Sequence, residues 1–208
     1  MHEDLHITTH NGKMKGISSI STSCLLNPYC RNRQTWEGAV CQKCYSKKYL
    51  SLRPSLREKL VTNTELLSEQ LLEDSDFPLL NAYVFRLESF GDLVNETQLK
   101  NYIALCNKNP HVNFALWTKN LWICENVFNN QMILKPNNLV IVYSSEFLNK
   151  AADIDRCIHW YVDHVFTVFT KEFVKDNDIY INCGAAKCLA CLLCYSKDTE
   201  FYINEILK

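Results

Sequence analysis

Cysteine is the residue whose number and spacing promise chemistry in this chain. Four lie early, Cys24, Cys30, Cys41 and Cys44, and four lie late, Cys183, Cys188, Cys191 and Cys194, while Cys106, Cys124 and Cys157 stand apart. The early group, Cys24-x5-Cys30-x10-Cys41-x2-Cys44, contains one CxxC pair, whose spacing lets two thiolates grip one metal ion or two corners of one cluster. The late group, Cys183-x4-Cys188-x2-Cys191-x2-Cys194, has a CxxCxxC run similar to the ligand runs of ferredoxin-type iron–sulfur sites. Two readings stand: iron–sulfur centres, or four-cysteine zinc knots that staple loops. Unequal spacing within each group separates them from ribbons built of two CxxC units. The two groups could also meet if the first and last strands were neighbours, sharing ligands or placing two centres side by side. In an apolar or helical context the three lone cysteines read as small buried hydrophobes.

The charge balance and length fit a chain that handles such centres in a cytosol. With 208 residues, 47% hydrophobic and 12% aromatic, the sequence supports one domain with a substantial core. Twenty-two basic and 23 acidic residues give a net charge of -1, which is no reason to expect non-specific DNA or membrane binding. Apolar runs such as Leu139–Tyr143 are of strand length, too short to span a bilayer. Met1–His10 is polar, without a secretory apolar region. Without an export signal, metal or redox chemistry outweighs a disulfide scaffold.

The elements that must position the cysteines follow from the apolar periodicity. Strands are expected at Gly16–Thr22, Tyr83–Leu87, Val112–Trp117, Leu139–Tyr143, Val165–Phe169 and Ile179–Ile181, with helices at Tyr45–Leu56, Leu56–Leu72, Glu96–Cys106, Leu121–Asn129 and Lys171–Lys175. Short hairpin turns are missing, so the strands should pair in parallel. The expected fold is α/β, a partial (β/α)6 barrel or an open parallel sheet, with cysteine-rich metal-binding loops at the C-terminal rim. Its parts are a flexible N-terminus (1–15), the first cysteine loop (23–45), an α/β core (81–182) and the late cysteine segment (183–195).

Residues just after the strands converge on one rim in such folds. Here they are Cys24, Glu88-Ser89, Gly91-Asp92, Thr118-Lys119-Asn120, Ser144-Ser145-Glu146, Thr170-Lys171 and Cys183. Glu88, Ser89, Gly91, Asp92, Thr118 and Lys119 are therefore candidates for holding a small-molecule cofactor. Glu88 and Asp92 could bind an amine or act as acid and base, and Lys119 and Lys171 could hold carboxylate or phosphate. The alternative for Glu88 is an ion pair with Arg86 or a lysine. Glu88→Gln is expected to spare folding and weaken ligand binding. His2, His6 and His10 are expected to face solvent, and His159 and His164 lie near the fifth strand, where a structural role is the commoner case. No GxGxxG, Walker A, HExxH or Ser-His-Asp pattern supports a nucleotide-binding, NTPase or hydrolase reading.

Phe85-Arg-Leu-Glu-Ser-Phe-Gly-Asp-Leu93, Asn109-Pro-His-Val-Asn-Phe-Ala-Leu-Trp-Thr-Lys119 and Cys41-Gln-Lys-Cys-Tyr45 resemble the phage "gene product eighty-eight" family, as does the end from Ile181-Asn-Cys-Gly184 to Cys194-Tyr195. The resemblance covers about Ser18 to Tyr195 and implies a phage or mobile-element protein in a host cytosol. A more distant likeness is to radical S-adenosylmethionine enzymes, in which three cysteines hold a [4Fe–4S] cluster beside a partial (β/α)6 barrel. It implies Cys41 and Cys44 with Cys30 or Cys24 as ligands, and Glu88 to Asp92 facing S-adenosylmethionine. That superfamily's CxxxCxxC is absent, since ten residues separate Cys30 from Cys41.

Two functions are thus in view. One is a metal-binding protein with one or two cysteine-ligated centres, radical-S-adenosylmethionine-like, acting on an unknown small molecule. The other is a non-catalytic binder, stapled by zinc or iron–sulfur, that contacts nucleic acid or a host protein. Arg31, Arg33, Lys43, Lys47, Lys48, Arg53 and Arg57, interleaved with Trp36, Tyr45 and Tyr49, provide the basic and stacking groups for the second.

Overall fold

Runs of β-branched and aromatic residues alternate with amphipathic helical stretches, and a computed structural model describing residues 4–207 arranges them as a mixed α/β fold. The strands are β1 (Thr8–Thr9), β2 (Ser18–Ile20), β3 (Val84–Leu87), β4 (Asn113–Thr118), β5 (Leu139–Ser144), β6 (His164–Phe169) and β7 (Tyr202–Ile206). The helices are α1 (Pro28–Arg33), α2 (Tyr45–Leu52), α3 (Pro54–Glu69), α4 (Glu96–Lys108), α5 (Leu121–Glu125), α6 (Lys171–Asn177) and α7 (Cys188–Cys191), with a π turn at Asn126–Asn130 extending α5. They form one seven-stranded sheet in the order β1 to β7. Only β1 pairs antiparallel; β2 through β7 are parallel.

Every strand lies beside its neighbour in sequence, so the strand order never reverses, and right-handed crossovers then place the helices on the same face. Side chains alternate accordingly. Phe85, Leu87, Phe114, Leu116, Leu139, Ile141, Tyr143 and Val165 meet helical residues such as Leu67, Leu99, Tyr102 and Ile123. Val84, Ala115, Val140, Val142, Phe166 and Ile203 point the other way, onto Ile17, Tyr195 and the late cysteine segment. Burial on both faces explains why the strands read as continuous apolar runs.

The sheet is curled. Lys13, in the connection between β1 and β2, places its Nζ 3.0 Å from Glu205 Oε1 on β7, 3.3 Å from the Cys183 carbonyl and 3.1 Å from Cys183 Sγ. Five strand spacings separate β2 from β7, about 24 Å in a flat sheet, which no lysine can reach across. No backbone pairing between these edges occurs among the described residues. Both ions of the Lys13–Glu205 pair are about a quarter exposed, so Lys13→Met is expected to lower stability by only about 0.5–1 kcal/mol, read as a small decrease in urea midpoint at constant m-value.

The chief difference from the sequence reading concerns the last parallel strand. Ile179–Ile181 is not a strand; the sixth parallel strand is β7, Tyr202–Ile206. The stretch around Ile179–Ile181 instead runs along the outer edge of β7: Tyr180 O accepts from Asn204 Nδ2 at 3.0 Å and Asn182 Oδ1 from Asn204 N at 2.8 Å. Cys183 N donates to Asn204 O at 3.1 Å. With side chains taking two of these positions it blunts an edge without extending the sheet. Cys183 therefore precedes the last strand and does not end the sixth, and the first and last strands are not paired neighbours. The first strand contracts from Gly16–Thr22 to Ser18–Ile20, because Ser21, Thr22 and Ser23 turn their polar groups into loop contacts. No helix among the described residues is long and apolar enough to cross a membrane.

Candidate functional site

Three separate anchors deliver the early cysteines to one place. Asn27 caps α1, its Oδ1 accepting from Tyr29 N at 2.9 Å, while its Nδ2 donates to the carbonyls of Asp92 (2.9 Å) and Leu93 (3.1 Å). This ties the helix carrying Cys30 to the loop after β3. Val40 N donates to Glu146 O at 2.8 Å, and Ala39 bridges to Phe147, fixing the approach to Cys41 against the loop after β5. Cys44 is the residue before α2, and the backbone N–H groups of Ser46 and Lys47 point at its sulfur. Cys24 is buried in the loop after β2 and its thiol donates to Cys44.

The result is a cavity of about 610 Å³ whose wall contains Cys24, Cys30, Cys41 and Cys44 together with Glu88, Ser89, Gly91, Asp92, Thr118, Lys119 and Ser144 from the strand ends. The rim expected from the sequence is therefore real as a place. The hydrogen bond from Cys24, aided by those helix N–H groups, lowers the Cys44 thiol below its ordinary value. Burial pushes Cys30 and Cys41 up. Among the described residues, no three His, Cys, Asp or Glu side chains stand close enough together to ligate a single ion. The loops expected to bind metal thus bring their thiols to a common wall without drawing them onto one point.

Glu88 lines the cavity and is bound into a buried network. It adopts φ 62°, a left-handed conformation uncommon for a non-glycine residue, and this turns its side chain inward. Oε1 accepts from Tyr102 Oη at 2.6 Å, Gln98 Nε2 at 2.6 Å and Thr22 Oγ1 at 3.0 Å, and Oε2 from Thr22 N at 3.2 Å. Burial pushes the carboxyl up to about 7 against the pull of these donors. Among the described residues Glu88 forms no ion pair with Arg86 or a lysine, because Arg86 is on the other face of β3 and the donors around Glu88 are neutral. This network is the reason to expect that Glu88→Gln lowers stability as well as altering the cavity.

Asp92 is held as tightly. Its Oδ1 accepts from Thr118 Oγ1 at 2.5 Å and Leu93 N at 2.8 Å, and its Oδ2 from Lys119 N at 2.9 Å. Both carboxylates thus brace the wall from within, joining the ends of β2, β3 and β4. Gly91 lies between them, where a Cβ would come within 2.5 Å of Thr22 O and 2.7 Å of Glu88 Oε2. Ser89 lines the cavity, with its N donating to Ser21 Oγ at 2.8 Å and its Oγ 3.2 Å from His10 Nε2. Lys119 keeps its ammonium at the cavity, donating to Ser144 Oγ at 2.5 Å.

Other expectations divide. Glu146 pairs with Arg33 at 2.8 Å and accepts from Tyr29 Oη at 2.9 Å. Ser145 and Thr167 share a hydrogen bond of 2.8 Å. Thr170 caps α6, and Lys171 is exposed and does not line the cavity. His164 is buried between the carbonyls of Glu200 and Ser196, and His159 contacts Tyr161. His2 lies outside the described residues. His10 does not face solvent: its ring is half-buried, stacked on Phe90 and bonded to Ser19 Oγ at 2.8 Å. Cys106 and Cys124 are buried as expected, whereas Cys157 is exposed, because it lies in a surface turn at 156–158 and not in a core element.

The late cysteines lie under the concave face of the sheet. Cys183, Cys188 and Cys194 pack beside Val84, Ala115, Val140 and Tyr195, with Cys191 exposed. Two cavity-lining positions escaped the sequence reading. Arg86 and Trp117 project from β3 and β4 into the cavity, the guanidinium 4.2 Å from the indole centroid. Among the described residues Arg86 Nε is buried without a hydrogen-bond partner, and its NH1 reaches Met14 Sδ at 3.5 Å. A cation in the middle of an apolar strand was the available signal.

A family model described as Gene product 88 matches residues 7–201. No curated protein and no solved structure matches the chain.

Proposed function

We propose that this chain, which belongs to the phage gene product 88 family, is an iron–sulfur protein with a reaction chamber at the open end of its sheet. One observation carries the reading: four cysteines spread over residues 24–44 line the same cavity as the ends of β3, β4 and β5. A structural zinc knot would close around its ion, whereas here the thiols border a space of ligand size. Six sequential parallel strands and the Lys13 contact between the sheet edges favour a partial (β/α)6 barrel as the finer description. The residues fit a thiolate-bound cluster, for the set is all sulfur and Cys44 is already inclined to ionise.

In this reading Cys41 and Cys44, with Cys30 or Cys24, hold a [4Fe–4S] cluster. When bound, such a cluster supplies single electrons and, if only three thiolates hold it, an iron that can accept an amine and carboxylate such as those of S-adenosylmethionine. The chain itself orients the ligand. Lys119 and Arg86 present cationic donors, and Trp117 and Phe166 form an apolar wall that limits water. Glu88 and Asp92 act indirectly, fixing the loop that bounds the chamber. Cys183, Cys188, Cys191 and Cys194 are assigned to a second, structural centre beneath the sheet.

The test is anaerobic purification with metal analysis, acid-labile sulfide and an electron-spin spectrum recorded with and without S-adenosylmethionine. About four iron and four sulfide per early site are expected, with a spectrum that changes on adding the cofactor. Cys41→Ala should remove most of that iron and the spectral response. Cys191→Ala should lower total metal while preserving the response. Zinc without sulfide would overturn the proposal.

A further inference from the structure

We infer that the chamber serves a single-stranded nucleic acid, whose backbone lies across α1, α2 and α3 while one nucleotide enters the cavity. The charge distribution is the first ground. Residues 28–60 hold eight of the 22 Lys and Arg but only two of the 23 Asp and Glu, so a nearly neutral chain concentrates its positive charge on the segment that carries three of the four cavity cysteines. Arg31, Lys43, Lys47, Lys48, Arg53 and Arg57 are all exposed. None of the six forms an ion pair among the described residues.

The second ground is what accompanies that charge. Tyr45 and Tyr49, one helical turn apart on α2, are 55% and 42% exposed and both line the cavity. Arg53 lies 4.8 Å from the Tyr49 ring. The two rings stand edge to face, 85° apart, so each offers its own exposed surface, and separate exposed aromatics with cations beside them suit a single strand, since stacking needs no base identity and the phosphates need only positive charge. Trp36 is not part of it, being covered by Arg33 and stacked on Phe147.

Third, the cavity continues the same polarity inward. Neither Lys119 nor Arg86 is ion-paired among the described residues, and of the carboxylates that line the cavity with them, Asp92 and Glu88 are engaged by protein donors and Glu205 by Lys13. A nucleotide supplies both missing partners, an anion for these cations and an acceptor for Trp117 Nε1, which is buried without a hydrogen-bond partner among the described residues. The inference rests on the proposed function only for the purpose of the cavity; binding of the strand stands or falls separately.

The experiment is fluorescence anisotropy of the anaerobically purified full chain with a labelled single strand of about 16 nucleotides, prepared as RNA and as DNA. Binding should weaken steeply with salt. Lys47→Gln/Lys48→Gln/Arg53→Gln should reduce the slope of log K against log salt by about 2 and weaken binding at least tenfold. Tyr49→Ala should cost about tenfold with the slope unchanged. Lys187→Gln/Lys197→Gln, on the opposite segment, should bind as the parent. A preference for the RNA or the DNA probe would support the inference and identify the natural strand. Three results would overturn it: no binding at low salt, tighter binding of the duplex, or equal competition by inorganic polyphosphate. Iron and sulfide measured on the same sample keep this outcome distinct from failure of the cluster assignment.

Discussion

Replacing Glu88 with alanine is expected to lower the unfolding free energy by about 3 kcal/mol, seen as a fall of roughly 10 °C in thermal midpoint. The variant removes the acceptor shared by Tyr102, Gln98 and Thr22 and leaves their donors buried. An unmade buried hydrogen bond costs more than a made one contributes. Glu88→Gln should be destabilising too, because an amide NH2 must face those donors, and it adds a pH signature. The folded carboxyl titrates at about 7 and the unfolded one at 4.5, so between these values the folded state binds more protons. Stability of the parent should therefore fall as pH rises from 4.5 to 7, and that slope should be absent from the Gln variant. A midpoint unchanged by Glu88→Ala at pH 5 and pH 8 would show that the network contributes nothing.

Gly91→Ala is the second large effect, expected at about 3 kcal/mol. The added methyl would press on the Thr22 carbonyl, which is backbone and can move only by shifting the end of β2. Because the same methyl also meets Glu88, the two substitutions share an obstacle. The Gly91→Ala/Glu88→Ala double variant should lose measurably less stability than the two single losses combined. Strict additivity in denaturant melts would show that Gly91 is not constrained by the carboxylate.

What could be read from the residues alone was the period and the grouping. Strands β3 to β6 lie within a residue or two of their expected positions, because parallel strands buried on both faces leave unbroken apolar runs such as Val140-Ile141-Val142. Convergence of Cys24, Cys30, Cys41 and Cys44 with the strand-end residues was likewise legible, since parallel connectivity forces such residues to one end. The role of Glu88 was not. A carboxylate after a strand reads the same whether it faces a ligand or a tyrosine, and the left-handed turn that decides between them leaves only Gly91 as a trace. β7 was hidden because Tyr202–Ile206 follows a cysteine segment whose irregularity suggested that the sheet had ended. Arg86 was hidden by assuming that charges in strands pair with their neighbours.

The strand order also governs when each part of the fold can form. Sixty-three residues (21–83) separate β2 from β3, against 25 (88–112) between β3 and β4 and 20 (119–138) between β4 and β5. Closing the longest of these loops costs about 0.8 kcal/mol more than closing the 25-residue one, before any of its own residues are ordered. That long excursion is the stretch that holds all four early thiols. Strands β3 to β6 can associate through local encounters, while the wall that completes the cavity depends on the slowest contact in the sheet. Capture of a cluster would then act as a latch on the last part of the molecule to assemble and the first to open, coupling maturation of the site to completion of the fold.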